Sequence, residues 1–335
     1  MKDWLKLFEK ISEYHWQQNV LPVWEKYENG KLPWQSVAIF LSTYAYERSG
    51  VNPNYAPTAE DIIQEGLKEI EENNHDLESS LWKFFCKKMK YGEDKGYGGL
   101  NYGRNPLSPY PSKTETKSDG KSLFARMKQE KIGNLIVDLQ ELTTLEAFSF
   151  LRSIRGIGPK ISSFFLRDMS EKSNKKSTKD RELLQPIDVW IRRIIFKIRN
   201  DNWGAKSEYD NRYDKEIAEW IVEEAKKEEY NPERINMGMW YFGSQVCGKS
   251  KYKFDQIFRD FESAEQAWET YYDRIKRICS LPSRDEFGEA ILHALKYGKN
   301  RGLYKDEKLN LEHKRKLELH RNQENQIFTQ LSKHP

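Results

Sequence analysis

Residues 151–173 read LRSIRGIGPKISSFFLRDMSEKS, two apolar runs of helical period interrupted by Gly156, Gly158 and Pro159. One helix cannot pass through that interruption. Glycine admits positive φ and the close approach of another backbone. Proline has no N–H to give and suits the first turn of a following helix. The chain is therefore committed to two helices joined by a tight turn, with Ile154, Ile157 and Ile161 placed to pack one against the other. Backbone N–H groups at such a helix N-terminus can hold a phosphate oxygen, aided by the helix dipole. Lys160 follows directly. An ordinary αα-hairpin obeys the same grammar, so three roles stay open here: a plain connection, a phosphate clamp, and the edge of an active site.

Helical periodicity extends over most of the chain. DWLKLFEKISEYHWQ places Trp4, Leu7, Phe8 and Ile11 on one face. LPWQSVAIFLSTYAYERS is nearly all apolar from Val37 to Leu41 and reads as a buried helix with Pro33 in its first turn. TAEDIIQEGLKEIEENN and LESSLWKFFCKKMKYG are further helices, and TTLEAFSFLRSI has Glu146 at capping-box distance from Thr143. Beyond the hairpin, PIDVWIRRIIFKIRN is a basic amphipathic helix, followed by three more helical runs and a charge-laced tail from about residue 305. The segment 93–120, rich in Gly, Pro, Ser and Tyr, is a long surface loop. No strand ladder or internal repeat stands out, so the expected class is all-α.

Bulk properties narrow the function only slightly. The net charge of +4 on 335 residues is too small to name a partner. Its distribution is more telling: residues 151–200 hold 13 Lys/Arg against 5 Asp/Glu. Three scattered cysteines, Cys86, Cys247 and Cys279, contain no CxxC pair, which suits a reducing compartment and offers no zinc ribbon. No metal site is expected. The N-terminus carries no apolar secretion signal, and no run reaches the roughly 20 apolar residues of a membrane span.

The set L-x-x-I-x-G-I-G-P-K-I at 151–161 resembles the helix-hairpin-helix element of DNA-binding proteins. QPIDVWIRR then sets an aspartate at the head of the basic helix, 28 residues after Lys160. Together these resemble the helix-hairpin-helix base-excision DNA glycosylases, of the endonuclease III-like and 8-oxoguanine glycosylase-like kind, over residues 34 to about 250. The resemblance implies a two-lobed all-α fold with a DNA-binding groove between the lobes. It divides the chain into an N-terminal helix at 1–33 packing on the C-terminal lobe and a helical lobe at 34–170 holding the hairpin at 143–170. A polar basic insert at 171–185, a second lobe at 186–300 and a charged tail at 301–335 complete it.

The same resemblance places Lys160 at the catalytic lysine and Asp188 at the catalytic aspartate. It assigns DNA contacts to Arg155, Gly156, Ile157, Gly158, Ile161, Arg192, Arg193 and Lys197. Ser42, Tyr44 and Trp190 fall where base-pocket or wedge residues stand, although Tyr44 reads equally well as core. The implied activity is excision of a damaged or modified base from double-stranded DNA, with strand nicking by β-elimination through a lysine Schiff base. The implied state is a monomer, in the cytoplasm around a nucleoid or in a nucleus. The alternatives are a monofunctional glycosylase using water and a non-catalytic DNA-binding protein; the latter has no use for Asp188. Two departures stand out. Cys247 matches the first ligand of the iron–sulfur site of some members, but no close cysteines follow, so no cluster is expected. Trp190 stands where many members have histidine. The insert lengthens the lysine-to-aspartate gap. A strained turn is expected on Gly158→Ala. No single stretch names the target base.

Overall fold

The computed structural model describes residues 2–45, 77–88, 105–108, 120–174, 179–199, 210–247 and 254–255. These are mostly helical, with no strand among the described residues, so the class is all-α. The helices are α1 (Lys2–His15), α2 (Leu21–Lys26), α3 (Pro33–Ile39), α4 (Leu77–Lys88), α5 (Leu123–Gln129), α6 (Leu135–Glu141), α7 (Thr144–Arg152), α8 (Pro159–Ser173), α9 (Val189–Arg199), α10 (Asp214–Lys227) and α11 (Pro232–Tyr241). Most of the loop expected at 93–120, the helix expected at 58–74 and the tail from 301 lie outside the described residues.

The chain divides into two compact units. One comprises residues 13–188 and 212–236; the other comprises 1–12, 189–211 and 237–335. The first boundary falls within α1, and residues 212–236 return to the first unit.

The first unit is built around α8. Phe165 is fully buried and meets Trp24, Phe40 and Tyr44, with ring centroids 6.2, 5.0 and 5.2 Å away. Helix α3 and the π-helical turn that continues it, Phe40–Ala45, bring Val37 to Leu41 into this core as the unbroken apolar run requires, with α3 starting at Pro33 and extended Leu32 as N-cap. Asn134 caps α6, accepting from the Ile136 and Val137 amides, while its own side-chain NH₂ reaches the carbonyls of Gly30 and Lys31. Thr143 caps α7 in the expected capping box: its hydroxyl accepts from the Glu146 amide, and the Glu146 carboxylate accepts from the Thr143 amide at 2.9 Å. The Thr143 hydroxyl also donates to that carboxylate at 2.7 Å, and this bond first, then the amide's, holds the Glu146 carboxyl below its ordinary range.

In the second unit the α1 face expected from the sequence is realised. Trp4, Leu7 and Phe8 are buried, and Trp4 and Phe8 pack against Phe242 with centroids 6.3 and 6.0 Å away. Gly238 allows α11 to lie on the backbone of Phe8, since a Cβ there would collide with the Phe8 carbonyl.

Candidate functional site

Helices α7 and α8 form the expected hairpin. The turn between them is pinned from outside: the Arg155 amide donates to the Lys121 carbonyl at 2.8 Å, and Ile154 pairs with Lys121 in one isolated bridge. Gly120 is required there, because a Cβ would strike the Ser153 carbonyl. Ile154 and Ile157 are buried between the helices, and Ile161 is half-buried. Gly156 takes positive φ, +73°, the left-handed region that favours glycine.

Gly158 differs. Its φ of −88° and ψ of 175° are ordinary extended backbone, and an added Cβ would meet nothing within 4 Å. The strain expected for Gly158→Ala is therefore absent: this glycine answers no need of the turn itself. As N-cap of α8 it brings no side chain to the first-turn amides, which have no acceptor within a helix. The outer face of Gly158 is open space next to N–H donors, the shape that lets a second backbone come close.

Lys160 lies in the first turn of α8, and Asp188 immediately precedes α9. Their side chains meet, Lys160 Nζ to Asp188 Oδ2, at 3.5 Å. The lysine side chain is 42% exposed and the carboxylate 9%. Both belong to the first unit. The pair thus joins a nucleophile-capable amine, at the mouth of the glycine turn, to a largely buried carboxylate.

Other expected contacts are placed differently. Arg155 is buried; its Nε donates to the Gly120 carbonyl at 3.1 Å and its Nη1 to the Ser108 carbonyl at 2.7 Å. It ties two distant segments to the turn and offers no guanidinium to a phosphate. Ile157 is core, and its amide is already taken by the Ile154 carbonyl. Tyr44 is not a wedge: it is 1% exposed, accepts from Trp24 Nε1 at 3.0 Å and donates to Asp168 Oδ2 at 2.9 Å. Ser42, half-buried, donates to the Ala38 carbonyl one helical turn back.

In the second unit, Arg193 is buried over the Trp190 ring, 4.6 Å from its centroid, and so is not presented to a phosphate. Trp190 is half-buried against Gly243, where an added Cβ would come within 2.8 Å of it. Arg192 is half-buried and Lys197 is exposed, 4.0 Å from Asp255.

The structure adds residues that the sequence reading passed over. Phe164 lies one helical turn beyond Lys160 on α8, half-buried, with Tyr44 against its edge at 5.2 Å and the Arg167 guanidinium over its ring at 4.6 Å. The i, i+4, i+7 spacing from Lys160 was the available signal. Behind it runs a buried polar chain. Arg167 Nε donates to Asp168 Oδ1 at 2.8 Å, and Arg167 Nη1 donates to Asn236 Oδ1 at 3.0 Å. Burial raises the Asp168 carboxyl against the opposing pull of Arg167. It also raises Tyr44, together with the Asp168 charge. Burial, aided by the Arg167 charge, pushes His15 down to about 3.

A cleft of about 370 Å³ lies further along, between Leu142–Thr144 and the C-terminal half of α8 at Met169–Ser173; neither Lys160 nor Asp188 lines it. No group of three His, Cys, Asp or Glu among the described residues could hold a metal ion. Cys86 and Cys247 are buried free thiols, and burial raises Cys247 far above the ordinary thiol range. No described helix is long and apolar enough to cross a membrane.

No family model matches the chain, and no solved structure matches it. It is similar to a protein of Methanocaldococcus jannaschii described as uncharacterized, 24% identical over 292 residues, a match covering 73% of this chain. The chain spans 66% of that relative's length.

Proposed function

We propose that this protein is a helix-hairpin-helix DNA glycosylase that removes a damaged or modified base and nicks the strand through a lysine Schiff base. The observation that carries the reading is the Lys160–Asp188 pair at 3.5 Å, joined across 28 residues at the mouth of a turn whose outer glycine faces open space. A hairpin used only for binding needs the glycines and the basic residue, but not the facing carboxylate.

In this reading the amides about Gly158 and the first turn of α8 hold a phosphate. The target nucleotide is extruded from the duplex, and Phe164, one helical turn from Lys160 and held by Arg167 and Tyr44, is the aromatic ring nearest the pair on α8 on which a base could stack. Breaking the glycosidic bond builds positive charge on the sugar, and the Asp188 carboxylate lies where it can steady that charge. The half-exposed Lys160 amine can lose its proton to water before attacking C1′. The amine displaces the base at C1′, the C1′–O4′ bond then opens with O4′ taking a proton, and the imine so formed permits β-elimination.

The test is an incision screen over duplexes carrying oxidised, deaminated, alkylated and hypermodified bases, with borohydride present to trap the imine. Lys160→Gln is expected to abolish trapping while duplex binding persists, and Asp188→Asn to slow base removal by about 100-fold or more. Base removal retained in Lys160→Gln would favour the monofunctional enzyme. Undiminished trapping would place the nucleophile elsewhere, and binding without incision of any duplex would leave a binding protein.

A further inference from the structure

We propose that the N-terminal end of α11, residues 231–236, is a positioning device for Asp188, with Asn236 as its central residue. The catalytic part of this inference rests on the proposed glycosylase activity; the geometric part does not.

Lys160 sits on an α-helix, but Asp188 follows a short 3₁₀ helix, Arg181–Leu184, and the extended residues after it. Holding the carboxylate at the amine requires the end of that segment to be fixed. The fixing comes from residues 231–236. Glu233, 4% exposed, accepts from Arg181 Nε at 3.0 Å, from Arg181 Nη2 as well, and from Gln185 Nε2 at 3.4 Å. Asn231 Oδ1 accepts from Arg181 Nη2 at 3.3 Å and from the Glu233 amide at 3.0 Å. Asn236, fully buried, donates from Nδ2 to the Pro186 carbonyl at 3.3 Å, two residues ahead of Asp188.

The other end of the same amide points at the lysine's helix. Asn236 Oδ1 accepts from Arg167, which stands on α8 two turns beyond Lys160 and is locked there by Asp168. One side chain therefore reads both elements whose separation sets the Lys160–Asp188 distance. Asparagine supplies the donor and the acceptor that this bridge needs, while aspartate supplies acceptors only. Asn236→Asp accordingly keeps the Arg167 contact and turns the link to Pro186 into a repulsion between oxygens.

The experiment uses the full chain. Brief acetylation with acetic anhydride, read by peptide mass spectrometry, reports how well the carboxylate shields the Lys160 amine. Asp188→Asn is expected to raise Lys160 labelling about twofold to fivefold. Asn236→Asp should raise it comparably, with Lys128 and Lys131 unchanged. Glu233→Gln, which loosens Arg181 without touching Asn236, should act in the same direction and decides the matter if Asn236→Asp does not fold. Parent-like labelling of Lys160 in the folded Asn236→Asp protein overturns the inference, as does parent-like labelling in Asp188→Asn. On a duplex that the parent incises, Asn236→Asp should slow base removal about fivefold or more while imine trapping on a preformed abasic site stays within about twofold. It should add nothing in the Asp188→Asn background. Full additivity there would make Asn236 merely structural. A parent that incises no duplex sinks the glycosylase reading, and the labelling arm still decides the positioning role.

Discussion

Helix α8 carries two charged pairs, and they differ in almost every respect. Lys160–Asp188 lies at its start, 3.5 Å apart, with the amine 42% exposed. Arg167–Asp168 lies two turns on, 2.8 Å apart, with both side chains 1% exposed. The second pair is closed: Asp168 is also held by Tyr44, Tyr44 by Trp24, and Arg167 by Asn236 and the Phe164 ring. Every contact there is internal, so its energy goes into holding the unit together. The first pair is longer and its amine is half-exposed, so an incoming group can reach the amine at small cost. A half-exposed ion pair adds little stability, whereas removing one member of a buried pair strands the other charge. One end of α8 thus presents a half-exposed amine, while the middle of the helix is held by buried contacts.

The sharpest way to break this contrast is Arg167→Ala. It should destabilise the protein by about 3–5 kcal/mol in denaturant unfolding, because Asp168 is left buried without its cation. A loss below about 1 kcal/mol would put this pair in the same class as the exposed one.

Acid should act on the same buried region. His15 is neutral in the fold, with its pKa lowered from 6.5 to about 3. The stability linked to it is complete above the unfolded value and drains away as pH falls from about 6.5 toward 3, by up to about 1.4 kcal/mol per pH unit. Urea midpoints measured from pH 7 to pH 5 should fall, and His15→Leu should flatten that slope.

Smaller effects come from the hairpin. Gly156→Ala puts a side chain at positive φ and should cost about 1–2 kcal/mol, seen as a lower Tm. At the open end of α8 the expectation is near silence. Lys160→Gln and Gly158→Ala should each leave stability within about 0.5 kcal/mol of the parent, since the lysine is half-exposed and Gly158 has open space around its Cβ position. Gly158→Ala should nonetheless weaken duplex binding, in equal measure for all sequences, because phosphate contacts carry no base information. Unchanged binding would reduce the turn to a connection.

Much of the scaffold around this contrast was legible locally. The helix break at 156–159, the capping box of Thr143 and Glu146, Pro33 at the head of α3 and the buried face of α1 are all patterns within one or two helical turns. Short-range sterics and hydrogen bonding decide such features. Individual site residues were harder to read. Arg155 and Lys160 look alike as basic residues of one glycine-rich turn, yet the carbonyls that claim Arg155 belong to Gly120 and Ser108, 35 and 47 positions away. Tyr44 was equally plausible as a wedge and as core until Asp168, 124 positions on, supplied its partner. The role of Gly158 was misread because a glycine letter does not reveal which of two neighbours takes the positive φ.

By itself, the sequence determined the helical class and the hairpin with its lysine, since periodicity, glycine and proline act through the backbone at short range. The tertiary structure alone decided which charges are spent and which are offered. That choice depends on which distant carbonyl or carboxylate reaches a given side chain, and on whether water reaches it too.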